Sequence, residues 1–327
     1  MNLFSRYLLA GTLLSLAFGL PLAWDQDAMP GRSNRTLSFG TARFAGRIES
    51  RLLVECSGMD VSMAAAELLW AINDSGGGPF VYALGSDGRD RGRLKVAGAE
   101  NRDWEGLDTF MWQGRPMILI ADIGDNRQQH AAHTLYVIPE PRLHADRLAA
   151  ASTVAVAWQI HFVYPDGRHD AEGAAVDTAA GEVLVLTKRD KPPLLFALPL
   201  AANPPGRTVT ARLVAAMNRI PEPTPKDLQQ AYGAVRSQPT AIDLSPDGMV
   251  MAVLTYKHAY LFGRNPGDSW AVVTDQPPAL VALPLPEDCG MLKQRESICF
   301  SKDGASLLVA SEGSGAEIFR VDRNQAR

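Results

Sequence analysis

The sequence predicts an all-β chain folded as a β-propeller, with five blades. Three observations carry that reading. One layout of short apolar runs recurs five times along the 327 residues. The apolar residues within the opening run of each recurrence stand two apart, which is the period of a strand and not of a helix. Turns that are often Gly-containing separate the runs, as hairpins require.

The five units follow in order. The first reads SGMDVS (57–62), ELLWAINDSGGG (67–78) and FVYALGSDG (80–88). The second reads EGLDTF (105–110), MILIADIGDN (117–126) and TLYVIPEP (134–141). EGAAVD (172–177), EVLVLTKRD (182–190) and LLFALPL (194–200) make the third. The fourth has TAIDLSPDG (240–248), VMAVLTYKH (250–258) and AYLFG (259–263), and the fifth ESICFSKDG (296–304), SLLVASEGS (306–314) and EIFRVDR (317–323). Pairs such as Leu107 and Thr109, Ala174 and Val176, or Ile298 and Phe300 show the alternation.

A fourth strand is expected after each of the first four units: 92–98, 153–164, 208–217 and 279–286. The fifth unit has none. The strand-like segment 35–50 therefore completes the last blade and closes the ring, which removes an open sheet edge. Six blades are the alternative, if 195–239 holds another. The best helical candidates are 141–151 and 224–235. The long insertions 139–152 and 201–238 are candidate contact surfaces.

Hydrophobic residues make up 46% of the chain and charged residues 21%, with a net charge of −4. That is ordinary globular composition, and without a basic stripe it argues against nucleic acid as a partner. Arg6 precedes an apolar run from Tyr7 to about Leu22, which reads as a cleaved export signal. The expected organisation is a signal peptide over 1–23, a linker over 24–34 and the propeller over 35–327. The mature protein is expected in the periplasm or outside the cell, with no membrane span. Cys56, Cys289 and Cys299 lack metal-site spacing and read as structural. An odd count leaves at least one thiol unpaired within the chain, and sequence does not choose a disulfide pair.

Acids stand at the starts of the first strands. Ser57, Glu105, Glu172, Thr240 and Glu296 are equivalent positions, and two residues earlier stand Glu55, Asp103, Asp170, Gln238 and Gln294. In a propeller these strand starts converge at one end of the central channel, so two stacked polar rings are expected, with six carboxylates among ten positions. Like charges so placed need a counter-charge or a proton. Ca²⁺, which takes carboxylates, carbonyls and waters, is one partner. Arg102, Arg168, Arg236 and Arg295 precede the same strands and could instead build an ion-pair network between blades. A cationic or polyhydroxylated ligand is the third. The metal candidates are Glu105, Glu172 and Glu296, joined by Asp122 and Asp125 from the DIGDN loop. Asp103, Asp170, Arg168 and Arg295 are the ligand-binding candidates. The loop NDSGGG (73–78) reads as a turn. His130 and His133 form a weak zinc motif, and Ser57 has no histidine beside it in sequence to activate it. Trp104 reads as blade packing, with a ligand cover as the alternative.

LLWAINDSGG, DWEGLD, IADIGDN, DAEGAAVD and LVLTKRD, in this order, resemble a group of uncharacterised exported bacterial β-propeller proteins, over about residues 50–320. More distantly, the Glu-Gly strand starts are similar to those of phytase-like esterase and gluconolactonase-like propellers. Those relatives often bind calcium in or near the channel and hydrolyse phosphoesters or lactones, which implies a metal-binding role for Glu105, Glu172 and Glu296. Ser57 and Thr240 depart from the pattern. The leading expectation is an envelope propeller that binds a divalent cation or small ligand at an acidic channel mouth. A metal-dependent hydrolase of phosphoesters or lactones is the runner-up, and a protein-interaction platform built on the blade loops is the third class.

Overall fold

The inner strands fix the architecture. Their central residues carry small or apolar side chains that alternate with polar ones, and all five are almost wholly buried. The computed structural model describes residues 37–202, 204, 206–284 and 294–324. Within them the inner strands are Cys56–Val61, Trp104–Trp112, Ala171–Asp177, Pro239–Leu244 and Arg295–Phe300. Each packs against the next around a closed ring. From each, two more antiparallel strands run outward: Leu68–Asn73 and Phe80–Gly85 in blade 1, Arg115–Asp122 and His133–Pro139 in blade 2, Glu182–Thr187 and Leu194–Pro199 in blade 3, Val250–Thr255 and Ala259–Gly263 in blade 4, and Ser306–Ser311 and Glu317–Asp322 in blade 5. The chain forms five blades, and 195–239 adds no sixth.

The outer edge is where sequence and structure part in detail. Blade 1 ends with Asp90–Ala97 and blade 4 with Ala279–Val281, as expected. Blade 5 is completed by the N-terminal strand Arg43–Arg47, antiparallel to Glu317–Asp322. The run 153–164, however, divides between two blades. Thr153–Ala155 adds in parallel to the outside of blade 1, and only Trp158–Val163 is the fourth strand of blade 2. The run 208–217 does the same: Thr208–Thr210 adds in parallel to blade 2 and Arg212–Ala216 closes blade 3. Each connection, on its way from the third to the fourth strand of its own blade, covers the outer edge of the preceding blade, which would otherwise expose unpaired backbone. Residues 141–151 form no helix; they are turns, with Ala145, Asp146 and Ala151 in the left-handed region. The expected helix over 224–235 shrinks to Pro225–Leu228, capped by Thr224 and Asp227, and a 3₁₀ turn at Gly233–Val235. Trp270–Val273 is a further short helix.

Five apolar clusters fill the five junctions between blades. Leu119, Leu135, Phe162, Val185 and Phe196 lie between blades 2 and 3, and Leu186, Val253, Tyr260 and Trp270 between 3 and 4. Their counterparts lie between 5 and 1, 1 and 2, and 4 and 5.

One irregularity repeats in all five blades. The pairing of each inner strand slips by one residue between Cys56 and Gly58, Trp104 and Gly106, Ala171 and Gly173, Pro239 and Ala241, and Arg295 and Ser297. Such β-bulges leave one residue out of the ladder and re-aim its side chain. The residues so released are Ser57, Glu105, Glu172, Thr240 and Glu296. The glycine that follows three of them has a steric cause. A Cβ on Gly58 would lie 2.8 Å from the backbone N of Leu107, and one on Gly173 2.8 Å from that of Ile242. One on Gly106 would meet the Ala174 Cβ at 3.0 Å. The Glu-Gly pair is thus an unpaired residue aimed at the axis, followed by a backbone contact between blades.

Cys56 and Cys299 are buried free thiols, and burial pushes the Cys56 thiol up to about 12. Cys289, the expected signal peptide (1–23) and the linker lie outside the described residues. Among the described residues no helix is long and apolar enough to cross a membrane.

The close contact at the inner ring sets a first expectation. Gly173→Ala forces the inner strands of blades 3 and 4 apart and lowers stability by about 1–3 kcal/mol, in the range of core overpacking. Urea unfolding would measure it; an unchanged midpoint would mean that the two strands do not meet there.

Candidate functional site

The bulges bring glutamates from three blades to the axis. Oxygens of Glu105, Glu172 and Glu296 lie within 4.8 Å of one another, and all three residues are buried. Glu105 also belongs to a second group: oxygens of Asp74, Asp103 and Glu105 lie within 4.8 Å of one another. Asp74 and Asp103 are half-buried, so this group faces the open end of the channel.

Local structure fixes each member. Asp74 follows the second strand of blade 1, and its N–H donates to the Glu55 carbonyl at 2.9 Å. Asn73, just before it, accepts from the N–H groups of Val54 and Glu55, both at 3.0 Å, and donates to the Leu52 carbonyl at 2.7 Å. The Asp103 N–H donates to Asp122 at 2.8 Å. Gly124 donates its N–H to the Asp103 carbonyl at 3.1 Å, and a Cβ there would stand 2.4 Å from the Asp103 carboxylate. The glycine of DIGDN therefore lets that loop close over Asp103 and Glu105. Glu296 accepts from the Tyr256 hydroxyl at 2.9 Å.

Among the described residues, one lysine enters the cluster. Lys188, at the end of the second strand of blade 3, places its ammonium 2.6 Å from Glu172 and 4.0 Å from Glu296, and 5.3 Å from the centre of the Tyr256 ring. Burial works against its charge, but Glu172, Tyr256 and Glu296 outweigh burial and hold its pKa above the ordinary lysine value. Several carboxyls are held towards their neutral form. Burial keeps Glu172 above the carboxylate range even with Lys188 beside it. Burial, then Glu172 and Asp74, push Glu105 well above the carboxylate range. Burial and contact with Asp74 raise Asp103 to about 8. Burial and contact with Glu296 raise Glu312 to about 9. Glu105 is 3% exposed, yet its Oε2 has no hydrogen-bond partner among the described residues. A buried carboxylate oxygen without a donor is costly.

Other candidates are placed differently. Asp122 and Asp125 stand outside both groups and serve backbone N–H groups: Asp122 accepts from Asp103, and Asp125 from Gln129 at 2.8 Å and His130 at 2.7 Å. Asp170 accepts from the Asp125 N–H at 2.9 Å and pairs with Arg189 at 2.6 Å, not with Arg168. Arg168 is exposed, and its guanidinium donates to the Gln128 carbonyl at 3.4 Å. Arg295 is buried and donates to the carbonyls of Tyr256 at 2.9 Å and Lys257 at 3.2 Å, so it holds the loop that carries Tyr256. Ser57 and Thr240, where the ring lacks acids, donate to the carbonyls of Trp104 and Arg295 in the next blade, both at 2.6 Å. Trp104 is fully buried and donates to the Glu100 carbonyl at 2.8 Å, as blade packing. Neither His130 nor His133 joins a metal-like group among the described residues.

A deeper acidic layer escapes the alternation argument. Oxygens of Asp60, Asp108 and Asp243 lie within 4.8 Å of one another, all buried. Asp60 accepts from the Thr109 N–H at 2.7 Å, Asp243 from the Phe300 N–H at 2.6 Å, and Asp108 from the Val176 N–H. Each ties its blade to the next. Burial raises Asp60 to about 6 and places Asp108 and Asp243 well above the ordinary range. These aspartates stand three residues beyond Ser57, Glu105 and Thr240. An odd spacing puts residues on opposite faces of a regular strand, but the bulge adds the residue that returns them to the axis. The repeated spacing of three is the signal that could have revealed them. Asp74, Lys188 and Glu312 carried only the weaker signal of polar residues at the ends of second strands.

No protein-family model matches the chain, and neither does any curated protein sequence. Among solved structures, a chain of a nidogen/laminin complex is similar at a TM-score of 0.42 and 10% identity, over 79% of this chain and 73% of its own. A luciferin-regenerating enzyme is similar at a TM-score of 0.42 and 10% identity, over 87% of this chain and 95% of its own.

Proposed function

We propose that the protein is an exported β-propeller that binds a divalent cation, Ca²⁺, at its acidic channel mouth, through Asp74, Asp103 and Glu105 with Glu172 and Glu296 facing them. The observation that carries this reading is the Glu105 carboxylate. It is buried, it lacks a donor on one oxygen, and it belongs to both groups of converging acids. A donor set made only of carboxylate oxygens suits a hard cation, and the absence of histidine and thiolate from it disfavours zinc. The half-buried rim at Asp74 and Asp103 leaves a bound cation open to an oxygen-rich small ligand. The apolar leader-like run at the N-terminus supports an exported setting, where calcium is abundant.

A thermal melt tests the reading. A ligand that binds only the folded form stabilises it with concentration, by about 2.7 kcal/mol at a hundred times its Kd. After treatment with chelator, graded Ca²⁺ is expected to raise the melting temperature saturably. Glu105→Gln, which keeps the shape and removes the charge, is expected to abolish the rise. An equal rise in the variant would place the cation elsewhere.

The pH dependence follows from the same carboxyls. An acid with a raised folded pKa keeps its proton in the folded protein while the unfolded chain loses it. The resulting penalty is absent below the ordinary carboxylate pKa, grows as the pH rises and is complete above the folded value. With Asp103 held near 8 and Glu312 near 9, the chelated protein is expected to lose stability as the pH climbs from about 5 through about 9. A bound cation needs the ionised carboxylates, so the increment from Ca²⁺ should grow over the same interval. A flat profile in chelator would show that these acids do not converge in the folded protein.

A further inference from the structure

The acids of the mouth are not equally supplied with positive charge. Glu172 and Glu296 have the Lys188 ammonium at 2.6 and 4.0 Å, and Glu296 also holds the Tyr256 hydroxyl. Asp74, Asp103 and Glu105 have no lysine or arginine at ion-pair distance among the described residues. Glu105 is the only residue common to the two groups, and its Oε2 is the unpartnered atom.

The position of Lys188 is closely built. Its N–H donates to the Asp170 carbonyl at 2.8 Å, which ties the end of its strand to the start of the blade 3 inner strand. The ammonium lies against the Tyr256 ring, and the Tyr256 carbonyl is fixed in turn by Arg295. The side chain is 8% exposed. A lysine ammonium carries one charge and three donors and ligates no metal while it is protonated. It therefore fills space and charge that a second cation would otherwise take.

We infer that Lys188 is a tethered counter-ion that divides the mouth: it occupies the Glu172–Glu296 side permanently and restricts the protein to a single divalent cation, on the Asp74–Asp103–Glu105 side. This rests on the calcium reading above and adds to it a residue that sets the number and place of bound ions. The tethered charge also explains how the Glu172–Glu296 side stays folded without metal. The Asp74–Asp103–Glu105 side has no such tethered charge at ion-pair distance among the described residues.

The test counts ions. Calcium binding by isothermal titration, with Tb³⁺ luminescence as a second count, is measured on the full protein and on Lys188→Met, which keeps a flexible apolar stem over Tyr256 and removes the charge. One ion in the wild type and two in Lys188→Met is the expected result. In the double variant Lys188→Met with Glu172→Gln the count should return to one, because the second position has lost a ligand together with the charge it must balance. Lys188→Met is also expected to melt lower than the wild type in chelator and to gain more from Ca²⁺. One ion in both proteins, at the same affinity, overturns the inference and leaves the calcium site standing. No ion bound by the wild type overturns the calcium reading itself. Lys188→Met that stays unfolded in saturating Ca²⁺ also overturns the inference, since a free cation would then be unable to stand in for the ammonium.

Discussion

The structure depends on one repeated distortion, the bulge near the start of each inner strand. Five strands meeting around an axis must bring their backbones close, and a regular ladder would direct alternate side chains at the neighbouring blade instead of the channel. The bulge separates the two demands. The unpaired residue turns to the axis, and in three blades the next residue is a glycine that takes the close contact. The polar channel and the convergence of acids from blades 2, 3 and 5 follow from that one extra residue in each inner strand.

The electrostatics of the channel show how a fold can bury so many carboxyls. Each acid is balanced by a different means. The deep aspartates accept backbone N–H groups from the next blade and hold raised pKa values, so they serve as links between blades. Asp170 has Arg189, and Glu172 has Lys188. Asp122 and Asp125 have backbone donors. Among the described residues, Glu105 is the glutamate of the mouth with a fully buried oxygen that has no hydrogen-bond partner. Desolvating a carboxylate without a partner is among the most unfavourable acts in folding, so the exception is informative about what the mouth is for.

The blade count and ring closure were legible in the sequence because they rest on period and recurrence, which need no tertiary information. The convergence of Glu105, Glu172 and Glu296 was legible too, since equivalent positions in a ring must meet. Three things were not. The division of 153–164 and 208–217 between blades leaves no mark, because a short strand added in parallel has the same composition as the strand that follows it. The charge partner of Asp170 left no mark: Arg168 precedes it in sequence, yet Arg189, from the end of the next strand, makes the pair. The deep aspartates were hidden because alternation by two assumes an unbroken pleat. The same bulge that makes the first ring readable conceals the second.

The two acidic layers complement each other blade by blade. In the upper layer the acids come from blades 2, 3 and 5, while blades 1 and 4 supply the hydroxyls of Ser57 and Thr240. In the lower layer they come from blades 1, 2 and 4, while blades 3 and 5 supply Ala175 and Cys299. Two residues on one strand face are about 7 Å apart, close enough in a buried channel for like charges to repel strongly. Four of the five blades avoid that by carrying a single acid in one layer or the other. Blade 2 is the exception, with Glu105 above Asp108. Its upper carboxylate is the one with an unpartnered oxygen and the one that Asp74 and Asp103 approach from the open end. Acid groups are therefore most crowded along blade 2, which holds Asp103, Glu105 and Asp108 towards their protonated forms; at the outer end no lysine or arginine among the described residues pairs with them, and a cation from solution can reach and ionise them.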